Sequence, residues 1–216
     1  MSFDAVQYIR KGWMNRNRVL KPGPGWQYLT APVQATPRDT LIRDVRVVAG
    51  EAWKLRILRQ LEHYRKRAPY YAEVRALLER CFANPELSFS RLNTFYLAVV
   101  CQYLDISSRH AIFSDLDLTL DLTLDPVTAP DEWALRISQA LGAATYVNPP
   151  GGREFFQPAK YTQGGVQLQF LDTRPPLYSQ RRPTFEGGLS IIDVLMFNTP
   201  AQVRDLLDHV SIETAG

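Results

Sequence analysis

The sequence predicts a layered α/β or α+β fold, with a mixed sheet and a helical middle section. Three observations carry this. Apolar residues recur at the helical period from Glu51 to Leu104, and short apolar or alternating runs bounded by Pro and Gly lie on both sides of that stretch. Strands that flank helices in this way build one layered structure rather than separate all-α and all-β domains. The length of 216 residues, with 45% hydrophobic and 11% aromatic content, provides for a sizeable core in one domain. Within that domain, spanning residues 1–216, the parts are β-rich (1–49), helical (50–105) and α/β (106–216).

Phe3–Tyr8 reads as a short strand leading into the polar, basic stretch Arg10–Arg18 around Trp13. Arg18–Leu20 and Trp26–Val33, separated by KPGPG, read as a hairpin, since Pro fixes φ and Gly tolerates positive φ. Pro32 places the second of these strands at an edge. Leu41–Val48 alternates imperfectly and stops at Gly50, a further strand. From Glu51 to Ala68, the spacing of Trp53, Leu55, Ile57, Leu58, Leu61 and Tyr64 marks a helix that breaks at Pro69. Tyr71–Phe82 and Phe89–Leu104 follow as helices, the second with Ser88 placed to cap it. His110–Asp125 returns to strand, and Pro130–Leu141 to a helix ending at Gly142. Thr145–Asn148 and Gly165–Leu171 are expected strands, and Ile191–Asn198 and Ala201–His209 closing helices.

Charge excludes one class of partner. The 25 Lys and Arg are matched by 22 Asp and Glu, a net +3, so no global basic field exists for wrapping a nucleic acid. Cys81 and Cys101 sit in apolar helical patterns and read as reduced core residues. The longest apolar runs, Phe95–Cys101 and Ile191–Phe197, fall far short of the ~20 residues a membrane span needs. The opening MSFDAVQYIRKG has no signal-peptide core, so a cytoplasmic location is expected. His63, His110 and His209 are scattered and predict neither a metal site nor a nucleophilic triad.

Four constellations bear on chemistry. In Ala111–Asp121, AIFSDLDLTLD, the spacing of Asp115, Asp117 and Thr119 resembles the nucleophile strand of haloacid-dehalogenase-like phosphatases, because alternate residues on a strand bring two carboxylates to one phosphate. Against it, Leu118 continues a regular alternation where that family turns, and no downstream acidic pair is available for magnesium. A solvated strand face is the better reading, and the same holds against a calcium site in LDLTLD. Asn148-Pro149-Pro150-Gly151-Gly152 follows a short strand, and its glycines let backbone amides approach an anion or a sugar; a tight turn is the bland alternative. Gln7, Tyr8, Trp13, Asn15, Arg16, Asn17 and Arg18 interleave aromatic, amide and guanidinium groups, which suits a phosphate or carboxylate beside a stacked ring and also occurs in single-stranded nucleic-acid sites; a solvated turn with one buried Trp is the alternative. The basic run Lys54, Arg56, Arg59, Arg65, Lys66 and Arg67 reads as a solvated helix face, with anionic lipid or nucleic acid as the functional alternative.

Taken in order, DAVQYIRKGWMNRNRVL, WQYLTAPV, HYRKRAPYY, LSFSRLN, YLDI, ATYVNPPGG, YSQ and LSIIDVLMFN resemble the WbqC-like family, from Asp4 to about Leu207. The resemblance implies a part in cell-surface polysaccharide and O-antigen biosynthesis, with a small-molecule sugar or sugar nucleotide as partner and no defined cofactor. It carries over Gln7, Tyr8, Trp13, Asn15, Arg16 and Asn17, then Asn93, then Asn148, Gly151, Gly152, Tyr178, Gln180, Ser190 and Asp193. Members of the family have a further strand, a Gln-Pro-aromatic turn and a helix ahead of the residues matching Asp4. A chain lacking them is expected to expose an apolar patch that a homodimer would cover.

The leading expectation is an enzyme acting on a nucleotide-linked or amino sugar. Arg16 and Arg18 would hold phosphate or carboxylate, the Asn148–Gly152 loop would close over the ligand, and Asp193, in the apolar helix Ile191–Phe197, would be the general base. For Asp193 the alternative is a buried ion pair. A non-catalytic sugar-nucleotide-binding or complex-assembly protein is the second expectation, and a phosphatase acting through Asp115 and Asp117 the third.

Overall fold

The computed structural model describes residues 1–116, 129 and 131–215. The chain is mixed α/β, and its described elements run β1 (Arg16–Leu20), β2 (Trp26–Thr30), α1 (Ala52–Leu61), α2 (Tyr71–Phe82), α3 (Phe89–Tyr103), α4 (Glu132–Ala140), β3 (Thr145–Asn148), α5 (Pro158–Gln163), β4 (Gln167–Thr173), α6 (Ile191–Phe197), α7 (Pro200–Leu207) and β5 (Val210–Thr214). They divide into two compact units, Met1–Leu116 with Leu177–Asp205, and Asp117–Pro176 with Leu206–Gly216.

In the first unit, β1 and β2 form the antiparallel hairpin, with Arg18 opposite Tyr28 and Leu20 opposite Trp26. The turn closes through the Lys21 amide donating to the Gly25 carbonyl (3.2 Å), and Gly25 takes φ +84°. Only glycine adopts that angle without strain. Val19, Leu20 and Leu29 are buried, and against them pack Trp53, Ile57, Leu58 and Leu61 of α1. These four recur at the helical period, which is why this stretch folds as an amphipathic helix. It tightens after Leu61 into a 3-10 turn, Glu62–Lys66, that carries Tyr64 into the core. α2 contributes Tyr71, Val74, Leu77 and Cys81 to the same core, α3 Phe89, Leu92 and Val99, and α6 Leu195 and Met196.

Two expected strands of this unit are not strands. Phe3–Tyr8 is flanked by isolated bridges at Ser2 and Gln7, while Asp4, buried between them, accepts from the Ser114 amide (3.0 Å) and hydroxyl (2.7 Å). The backbone of this segment bonds to residues 40–43, the Tyr8 amide donating to the Thr40 carbonyl (2.9 Å) and the Val6 and Asp4 carbonyls accepting from the Ile42 and Arg43 amides (2.9 and 3.0 Å), but the partner turns into a 3-10 helix there and no regular ladder forms. Leu41–Val48 bends through a 3-10 turn at Ile42–Asp44 and touches its neighbours through single bridges at Arg46 and Val47. Ser88 occupies the N-cap position of α3, yet its side chain makes no capping bond; the Glu86 carboxylate instead accepts from the Leu87 and Ser88 amides (2.8 and 2.7 Å).

The second unit is a three-stranded sheet in the order β3-β4-β5, β3 parallel and β5 antiparallel to β4. Leu168 and Phe170 alternate with exposed or half-buried residues along β4 and point into a small core with Tyr161 and Val166. Tyr146 and Phe156 pack at its edge. α5 has Pro158 in its first turn, where the missing N–H costs nothing. Neither α5 nor β5 was expected from the sequence. Of His110–Asp125, residues 117–125 lie outside the described ones, and Phe113–Asp115 is a 3-10 turn rather than strand.

Candidate functional site

Side chains at alternate positions of a strand share a face, so Arg16 and Arg18 of β1 stand with Trp26 and Tyr28 of β2 on the side of the hairpin away from Val19 and Leu29. The Arg18 guanidinium lies 5.1 Å from the ring centres of both Trp13 and Trp26. Arg16 lies 4.3 Å over Tyr28, and Trp26 meets Tyr28 edge-on at 4.9 Å. Cations stacked on aromatic faces in this way gain about 0.5–1 kcal/mol each at exposed sites. Trp13 remains 57% and Trp26 37% exposed, so the face is a cationic, aromatic platform open to solvent.

The platform is tied to the segment 177–190. Arg18 Nη2 donates to the Gly188 carbonyl (2.9 Å), and the Ser190 amide donates back to the Arg18 carbonyl (2.8 Å). Gly188 takes φ +64°, and a Cβ there would lie 2.5 Å from Arg18 Nη2. Arg182 grips the hairpin turn, donating to the carbonyls of Lys21, Gly23 (2.9 Å) and Gly25. Arg181 beside it adopts φ +49°. A side chain rarely takes that conformation unless its surroundings hold it there.

Beneath lies a buried polar cluster. Asp193 is 0% exposed; its Oδ1 accepts from the Tyr64 hydroxyl, and its Oδ2 from the Tyr178 hydroxyl (2.6 Å) and the Gln180 amide (3.2 Å). Tyr64 Oη in turn accepts from the Leu20 amide (2.9 Å), which links the cluster to β1. Gln180 closes its own loop, exchanging bonds of 2.9 Å with the carbonyl and amide of Glu186. Burial pushes the Asp193 carboxyl above its usual range, against the opposing pull of its three donors, and both tyrosine hydroxyls are driven well up by burial and by the carboxylate. No arginine forms an ion pair with Asp193 among the described residues; its compensation is hydrogen bonding. Ser190 accepts from the Ile192 amide (3.3 Å), capping α6 and thereby setting where Asp193 stands.

Against this frame, a family model described as the WbqC-like protein family matches residues 1–205. The chain belongs to the WbqC-like protein family. It is 30% identical over 210 residues to the uncharacterized protein Rv1507c of Mycobacterium tuberculosis (strain ATCC 25618 / H37Rv), an alignment spanning 96% of this chain and 86% of that protein. No solved structure matches.

Most of the residues expected from the WbqC-like resemblance gather in the first unit. Gln7 donates to the Arg38 carbonyl (2.7 Å), and Tyr8 is buried edge-on against Phe89 (5.6 Å). Asn15 donates to the Ala31 carbonyl (3.1 Å), and its Oδ1 is buried without a partner. Asn17 accepts from the Arg18 amide (2.8 Å), and Asn93 reaches the Met14 carbonyl at 3.5 Å. Arg16 also donates to the Lys11 carbonyl. Trp13, Arg16 and Arg18 thus meet on the platform, while Tyr178, Gln180, Ser190 and Asp193 meet beneath it.

Asn148, Gly151 and Gly152 belong to the second unit, in the turn after β3. Asn148 accepts from Tyr146 (3.0 Å) and donates to the Pro149 carbonyl (2.8 Å); Gly152, at φ +89°, leads into the 3-10 turn Arg153–Phe155. Asp115 is paired with Arg91 at 2.5 Å, whereas Asp117 and Thr119 of the phosphatase reading lie outside the described residues. Sequence reasoning missed Tyr64, Arg182, Gly188, Trp26 and Tyr28 as parts of the site. Tyr64 was legible as core; its hydrogen bond to a residue 129 positions away was not. No group of three or more metal-ligating side chains is found, and no helix is long and apolar enough to cross a membrane, among the described residues.

Proposed function

We propose that the hairpin platform binds a nucleotide-linked sugar, or an amino sugar bearing a phosphate or carboxylate, of cell-surface polysaccharide biosynthesis. The observation that carries this is the exposed Trp13–Arg18–Trp26 stack, held in place by the Gly188 carbonyl. An aromatic face suits a sugar ring or a base. Arg16 and Arg18, each still with N–H groups to spare, suit phosphate or carboxylate.

A non-catalytic binding role is favoured over catalysis by Asp193, since its carboxylate is fully enclosed and engaged by three donors. In that reading Asp193 fixes the 177–190 segment against which Arg18 is braced, and the ligand leaves unchanged.

A thermal-shift screen of sugar nucleotides and free nucleotides tests both. A ligand at a hundred times its Kd stabilises the folded state by about 2.7 kcal/mol. The expected shift is lost in Trp13→Ala and in Arg16→Ala, and the ligand is recovered intact by NMR after prolonged incubation. Turnover would restore the enzyme reading. A shift undiminished in both variants, or none with any compound in a folded sample, would remove the platform as the site.

A further inference from the structure

The basic run beyond α1 takes a shape the platform does not use. In the 3-10 turn Glu62–Lys66, with three residues per turn, His63 and Lys66 stand one above the other, and Arg67 follows at the turn's end. With Pro22 of the hairpin turn, the residues Glu62, His63, Arg65, Lys66 and Arg67 line a recess of about 440 Å³. Arg65, Lys66 and Arg67 form no ion pair among the described residues. The only acid in the lining, Glu62, is engaged by Arg75 at 2.5 Å. We infer that this recess is an anion site for a small, multiply charged phosphate of the pyrophosphate type, held by Lys66 and Arg67 with Arg65 at the rim.

His63 gives the site a link to protons. Its Nδ1 is bonded to the Gln60 carbonyl (2.9 Å), which makes the neutral ring an Nδ1–H donor there and leaves Nε2 a buried acceptor without a hydrogen-bond partner. An imidazolium would carry a second N–H at Nε2, the ring atom that has no partner within the protein. Burial, Arg67 and Arg182 hold the ring neutral, in that they push its pKa down. Arg182 and Arg67 oppose its protonation, and among the described residues lining the recess Glu62, occupied by Arg75, is the sole acid. An anion entering beside Lys66 and Arg67 cancels this opposition, and His63 takes up a proton as the anion binds. The recess is independent of the sugar reading, because none of its lining residues belongs to the platform.

Calorimetry with inorganic pyrophosphate at low ionic strength tests the assignment. Binding is expected to saturate at one site, to weaken about tenfold in Lys66→Ala and in Arg67→Ala, and to change less than about twofold in Arg56→Ala. Arg56→Ala removes the same charge from an exposed position of the same basic run outside the recess, so equal weakening there would reduce the site to diffuse charge and overturn it. Binding is also expected to persist in Trp13→Ala, which separates its failure from that of the platform. Proton exchange on binding, read from buffers of different ionisation enthalpy at pH 7.5, is expected to be shifted toward uptake in the wild type relative to His63→Gln, a difference in which pyrophosphate's own ionisation cancels. Absence of saturable pyrophosphate binding, or uptake unchanged in His63→Gln, would sink the inference. So would binding confined to phosphatidylserine vesicles or a single-stranded oligonucleotide and lost in the same variants, which would make the run a surface for those polymers.

Discussion

At Asp193 three donors converge on a carboxylate that sees no solvent, so the cost of losing it is set by what is left behind. Asp193→Ala strands the hydroxyls of Tyr64 and Tyr178, while the Gln180 amide keeps the Glu186 carbonyl, and is expected to lower stability by about 3 kcal/mol, read from urea unfolding, since each orphaned buried group costs ~1–3 kcal/mol. A loss below about 1 kcal/mol would mean the cluster rearranges freely. The pH dependence has a definite sign. Because burial raises the folded pKa above the unfolded value, the folded state binds the proton more tightly. Asp193 therefore contributes stability that is fully present below the unfolded pKa, about 3.9, and lost as pH rises through the folded pKa. The stability of the wild type relative to Asp193→Asn is expected to fall as pH rises from 3.5, whereas a rise would contradict the direction of the shift. Sequence alone showed Asp193 as a carboxylate inside an apolar helix. Its hydrogen-bond donors could not be read, because they come from a 3-10 turn and a loop that share no local pattern with α6.

At the level of elements, the hairpin and the 177–190 segment act as one piece, joined at Gly188, Ser190 and Arg182. Gly188→Ala puts a Cβ 2.5 Å from Arg18 Nη2 at a φ of +64°, while two tryptophans limit how far Arg18 can move. It is expected to cost about 1–2 kcal/mol in stability and to abolish the sugar-nucleotide thermal shift; a variant that melts and binds like the wild type would show that Arg18 is not braced there. Elements with strong local signals were legible: KPGPG for the turn, the spacing of Trp53, Ile57, Leu58 and Leu61 for α1, and Tyr71–Phe82 to the residue. Those whose backbone partners lie on a distant, irregular segment were not, as at Phe3–Tyr8, whose Asp4 and Val6 carbonyls accept from the Arg43 and Ile42 amides of a 3-10 turn. β5 was missed because every residue in it is exposed, so no buried face marks it as a strand.

Across the whole molecule, the described residues hold two separate apolar clusters, one around Tyr64, Phe89 and Met196 and one around Tyr161, Val166, Leu168 and Phe170. Phe170→Ala removes the one aromatic ring of β4 and is expected to cost the second unit about 3–5 kcal/mol. Hydrogen exchange is the check: amides of β4 and β5 should lose protection while those of α1, α2 and α3 keep theirs, and a uniform loss would mean the clusters melt together. The division also has a temporal side. Leu177–Asp205 completes the first unit only after Asp117–Pro176 has been made, so Arg18 and Tyr64 leave the ribosome long before Gly188 and Asp193 exist. At roughly 5–20 residues per second the wait between Tyr64 and Asp193 is on the order of ten seconds. During that interval the nascent hairpin has neither the carbonyl that will brace its arginine nor the carboxylate that will receive its neighbouring tyrosine.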